Sequence, residues 1–116
     1  MVVSRFVRAA TTTLDVNGTG QATLSPDGGD WKITLTSVSV TTNIATPQVS
    51  VYANGVSAQQ FLEGSFSGYR DASDTVHVVA AGEQLIAVWE GGDPGANATL
   101  RVSGWQGRPG EFAGGG

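Results

Sequence analysis

One histidine, no cysteine and ten acidic residues set the chemistry open to this chain. The histidine, His77, falls within a short alternating run, and no sharp turn of the kind that presents a serine nucleophile accompanies it. A single imidazole also falls short of a multi-histidine metal site. His77 is therefore expected at the surface or at a sheet edge, facing opposite to Val76 and Val78. Four aspartates form two Asp-x-x-Asp pairs in loops, Asp27 with Asp30 and Asp71 with Asp74. Loop carboxylates and backbone carbonyls can hold calcium, which takes about 6–8 oxygens. Neither pair has the alternating spacing of an EF-hand, and aspartate also starts turns through its own side-chain oxygen. Paired carboxylates could serve a glycosidase, but no aromatic residues surround these. Turn capping is the better reading, with Asp27, Asp30, Asp71 and Asp74 kept as the calcium candidates. The turn at residues 91–95 lacks the Lys-Ser/Thr step of a phosphate loop. Asn17-Gly18-Thr19 and Asn97-Ala98-Thr99 match the glycosylation pattern, which arises readily by chance in a Thr-rich chain. The expectation is no catalytic residue, no cofactor and no enzyme activity.

Binding chemistry rests on three tryptophans and on the two ends. Trp89 shares a face with Leu85 and Ala87, and Trp31 opens an alternating run on its apolar side, so both are expected in the core. Trp105 falls out of phase with the inward series Ala98, Leu100 and Val102. It can anchor an interface, where Trp is enriched, stack on a sugar ring, or cover one end of a core. Residues 1–10 place Arg5 and Arg8 among Val3, Phe6 and Val7 and could form a short helix, a strand added to the same sheet, or an arm onto neighbours, and residues 106–116 end in three glycines. Such a tail buries too little apolar surface to order itself. Phe6, Val7 and Phe112 are expected to dock on neighbouring chains, with Arg5, Arg8 and Arg108 pairing acidic rims and Trp105 as a further contact.

The elements that must position these groups are strands. Only 14% of the 116 residues are charged, and glycine contributes 17, a composition of short strands and tight turns. Residues 11–16 lead to Asn17-Gly18 and a return strand at 21–24. The run 31–42 alternates Trp31, Ile33 and Leu35, then slips to Val38 and Val40, which predicts a bulge near Thr36 and Ser37. Residues 48–53 and 56–62 flank Asn54-Gly55, a two-residue hairpin signal that would set Val51 opposite Ala58 and Tyr52 opposite Ser57. The core face would then carry Val49, Val51, Ala53, Val56, Ala58 and Leu62. Residues 63–74 read as a polar connection, and 75–80, 84–90 and 97–103 as further strands. About eight short antiparallel strands in one domain predict an all-β chain, a jelly-roll-like β-sandwich. The division expected is an N-terminal arm at 1–10, the sandwich at 11–105 and a Gly-rich tail at 106–116. A net charge of −4 argues against nucleic acid, and the opening residues are too short and too basic for a signal peptide or membrane span.

Within residues 61–104, an aromatic and Gly-Ser stretch is followed by Asp71-Ala72-Ser73-Asp74, by Gly82, Glu83 and Leu85, and by Trp89 through Ala96 with its Gly-Gly-Asp-Pro-Gly-Ala turn. This pattern resembles small β-rich virion proteins of phages that infect actinobacteria, encoded among head, neck and tail genes. The resemblance implies a virion structural protein assembled in the host cytoplasm, with no catalytic or ligand residues. Its implied partners are other virion proteins (major capsid, neck or tail) and further copies of itself, with neither nucleic acid nor membrane. A capsid decoration or cement protein is the first expectation. A neck or minor tail or fibre component is the second, and a carbohydrate-binding β-sandwich the third.

Overall fold

The computed structural model describes residues 4–26, 29–41, 47–54, 61–67, 70–74 and 76–108. They form nine strand segments in two antiparallel sheets, and no helix among them is long and apolar enough to cross a membrane. Sheet A takes β1 (Ser4–Thr13), β9 (Asn97–Gly107) and β3 (Asp30–Val40) in that order, with β6 (Arg70–Ser73) and β7 (His77–Val79) both on the far side of β3. Sheet B runs β2 (Gly20–Leu24), β8 (Leu85–Glu90), β4 (Gln48–Ala53) and β5 (Phe61–Ser67). β6 pairs with Thr36–Ser39 and β7 with Trp31–Ile33, so the two segments lie end to end along one edge. The nine segments thus fill eight strand positions. First pairs with last, second with next to last, and so inward to β4 with β5.

The sheets close on one apolar core. β9 buries Ala98, Leu100 and Val102 in strict alternation, and β8 buries Leu85, Ala87 and Trp89, the period that one covered sheet face demands. Trp31 from sheet A and Trp89 from sheet B are both almost wholly buried, and both belong to the same core cluster. The loops that move the chain between sheets are held by backbone pairs. Gly92 N–H donates to Gly18 O at 3.0 Å and Leu14 N–H to Ala96 O at 2.8 Å. Gly18 has a φ of +73°, and a Cβ there would fall 2.0 Å from Gly92 O. Only glycine meets both demands.

Several expectations change in detail. The Asn17-Gly18 turn does not close a hairpin, because β1 lies in sheet A and β2 in sheet B. The phase slip in β3 is present, but the register shifts between Ile33 and Leu35. Leu35 therefore points outward, while Thr36 is buried with Val38 and Val40. The bulge crowds β9, since a Cβ on Gly104 would stand 2.1 Å from Lys32 O. Asn54 has the positive φ expected of it, +68°, without the two-residue hairpin. Val51 pairs with Glu63 and Tyr52 with Phe61, and Asn54 turns to the loop after β7. Its Oδ1 accepts from Gln84 N–H at 2.9 Å, and its Nδ2 donates to Glu83 Oε2 at 3.0 Å. Val49 and Val51 are core as expected and Leu62 packs against it, whereas Val56 and Ala58 lie outside the described residues. The connection expected at 63–74 is largely strand, forming most of β5 and all of β6.

The largest correction concerns the N-terminal arm. The boundary at residue 10 runs through β1, whose ten residues pair in unbroken register with β9 from Ser4↔Gln106 to Thr13↔Asn97. Phe6 is 4% exposed and stacks on Trp31, with centroids 4.8 Å apart and planes at 17°. It serves this chain's own core and is not a docking group. The boundary at 105 moves as well, because β9 continues through Gly107, opposite Asp30.

Candidate functional site

Of the four calcium candidates, Asp30, Asp71 and Asp74 fall among the described residues. Asp30 opens β3, is buried, and accepts from Ala81 N–H at 2.8 Å across the fold. It staples the start of β3 to the turn before β8. Asp71 lies opposite Val38, near the other end of β3, and accepts from Ala72 N–H at 2.9 Å. Asp74 is exposed, and Asp27 lies outside the described residues. Among the described residues no three His, Cys, Asp or Glu side chains converge as a metal group. His77 is on the edge segment β7, opposite Ile33. As expected, it faces opposite to Val76 and Val78, but the inward side is the one it shares with Val79, while Val76 and Val78 face out.

The outer face of sheet A gathers what the rest of the molecule does not. Its registers place Arg5, Trp105, Lys32 and Val78 in one row across four strand positions. The next row sets Val7, Ser103 and Leu35 side by side, and the one after it Ala9, Arg101, Ser37 and Ala72. Trp105 is 39% exposed, Val7 50% and Leu35 44%. The Arg5 guanidinium carbon sits 5.2 Å from the centre of the Trp105 ring, within cation–π reach. Arg5, Lys32 and Arg101 rim this apolar centre, and the sheet strands expose no carboxylate there among the described residues. The exposed Asp74 lies in the break between β6 and β7.

Of the expected interface residues, the fold brings Arg5, Val7 and Trp105 together on this face. Arg8 is half-buried opposite Val102, with its Nη1 donating to Val7 O at 3.0 Å. Arg108 is exposed just past β9, and Phe112 lies outside the described residues. Lys32, Leu35, Val78 and Arg101 were not anticipated. Lys32 and Arg101 were legible in principle, as the polar members between Trp31 and Ile33 and between Leu100 and Val102. Leu35 was not, because its side depends on where the bulge falls.

The arrangement sets exposed apolar groups and three cations on one sheet face, with a cavity of about 390 Å³ opening by Ser37 and Ala72 in its third row. Exposed apolar groups gathered on one face mark contact sites, and small-molecule sites are concave. Such a face can adhere to another surface. Comparison with known protein families, curated proteins and solved structures finds no match to this chain.

Proposed function

We propose that this chain is a non-enzymatic assembly module, a structural subunit of a phage virion, and that it decorates or cements the head. The observation that carries the reading is the outer face of sheet A, where Trp105, Val7 and Leu35 are exposed within a ring of cations. Such a face suits a protein that works by covering a neighbour, since Trp and Arg are the residues most enriched at interface centres. The first-with-last order of strand pairing supports reading the sandwich as a jelly roll, an architecture common in capsid domains. The resemblance of residues 61–104 to actinobacterial phage proteins points to the same setting. Partners are then other virion proteins and further copies of this chain.

Quantitative mass spectrometry and cryo-electron microscopy of purified particles test the proposal. Hundreds of copies on the head surface are expected. A dozen or fewer would move the chain to the neck or tail tip, and absence from the particle would end the virion reading.

Exposure of Trp105 also favours a second reading, a carbohydrate-binding module with that ring as platform. Arg5 already covers part of the ring, which leaves less of it for a sugar. Titration with host cell-wall saccharides decides this, because binding abolished by Trp105→Ala would support it and no binding at millimolar sugar would remove it.

A further inference from the structure

We propose that copies of this chain associate head to tail, the turn tip at Val16 of one copy seating on the outer face of sheet A of the next. The proposal deepens the oligomeric part of the function above and names the two surfaces that meet. Virion membership is judged separately, by particle composition.

The tip is built as rigidly as the face. Val16 is 86% exposed, the most exposed large apolar side chain described. Its turn is fixed from within, because Asp15 Oδ1 accepts from Asn17 N–H at 2.9 Å and from Thr19 N–H at 3.0 Å. It is fixed from outside as well, with Gly95 N–H donating to Leu14 O at 2.9 Å and Gly92 N–H to Gly18 O at 3.0 Å. A preorganised tip loses little freedom on docking.

Charge then selects the occupant. Asp15, Glu90 and Asp93 fall in or beside the paired turns at this end, and residues 14–19 and 90–96 contain no Lys or Arg. The tip is thus an apolar point on paired turns whose only charged residues are acidic. Sheet A presents the same pattern with the opposite sign, an apolar centre within a rim of Arg5, Lys32 and Arg101. The chain's net charge is −4 although this face carries three cations, so the remainder carries −7. Face against face would oppose like cations, and tip against tip like carboxylates, each at a cost. Only face against tip matches. Such a contact is heterologous, and repeating it gives a ring or a filament.

Sedimentation velocity of the purified full chain over a wide concentration range tests this at low and high salt. At low salt the weight-average mass should climb above the 11.9 kDa of one chain, and the climb should be lost at about 0.5 M NaCl, where screening is strong. Val16→Asp and Lys32→Glu should each remain at one chain, with circular dichroism confirming that both fold; Arg101→Glu provides a second face variant. An equimolar mixture of Val16→Asp and Lys32→Glu should form a species of two chains and nothing larger. The first keeps an intact face and the second an intact tip. A wild type that stays monomeric throughout, association that survives Val16→Asp, or a mixture that yields no two-chain species would each overturn the proposal.

Discussion

Replacing Phe6 with alanine separates a strand that belongs to the core from an arm that reaches for neighbours. Phe6 is 4% exposed and stacked on Trp31 at 4.8 Å. Truncating a buried phenyl ring typically costs about 3–5 kcal/mol, through lost transfer energy and the cavity left behind. β1 is an edge strand, so the site can partly collapse, which favours the lower half of that range. The stack on Trp31, worth roughly 0.5–1.5 kcal/mol beyond area alone, is already contained in that range. The expected loss is about 3–4 kcal/mol, a large share of the roughly 5–15 kcal/mol that holds a domain together. Urea titration followed by far-ultraviolet circular dichroism is the assay, since removing Phe6 would itself alter the fluorescence of Trp31. With a slope near 1.5 kcal/mol per molar, the midpoint should fall by about 2 M, and the Tm by more than about 10 °C. Val7→Ala is the control on the same strand; at 50% exposure it should stay within about 0.5 kcal/mol of wild type. A Phe6→Ala protein within about 1 kcal/mol of wild type would refute the reasoning. So would a folded, equally stable chain lacking residues 1–10, because that deletion strips β9 of most of its partner and opens a sheet edge.

Thr36 Oγ1 is buried with no hydrogen-bond partner among the described residues, so Thr36→Val should stabilise the fold by about 1 kcal/mol in the same titration. Asn54→Ala should cost about 1–2 kcal/mol, because it forces a positive φ on alanine and leaves Gln84 N–H without its acceptor; Asn54→Gly should recover part of that loss. Gly104→Val should prevent folding, seen as lost near-ultraviolet dichroism, since its Cβ would stand 2.1 Å from backbone oxygen. EDTA should leave the Tm unchanged, because Asp30 and Asp71 direct oxygens to the N–H groups of Ala81 and Ala72; a fall of several degrees restored by calcium alone would reverse that.

Period-two alternation is a local property, and what depends on it was legible in the sequence. The inward faces of β4, β8 and β9 follow from Val49 and Val51, from Leu85, Ala87 and Trp89, and from Ala98, Leu100 and Val102. The slip between Ile33 and Val38 showed that β3 must carry a bulge to keep both its halves on the core, and Asn54 announced its positive φ. Which strand lies beside which was not legible. The turn signals at Asn17-Gly18 and at Ala81–Glu83 look the same whether the chain doubles back within one sheet or crosses to the other, because a turn specifies only its own few dihedrals. Pairing β1 with β9 joins residues some ninety positions apart, and it alone converts Phe6 from a docking group into core. It also sets Arg5 beside Trp105 and Trp105 beside Lys32. That row exists only across strands distant in sequence, so the candidate surface is a product of tertiary packing built from side chains whose individual orientations the alternation had largely determined.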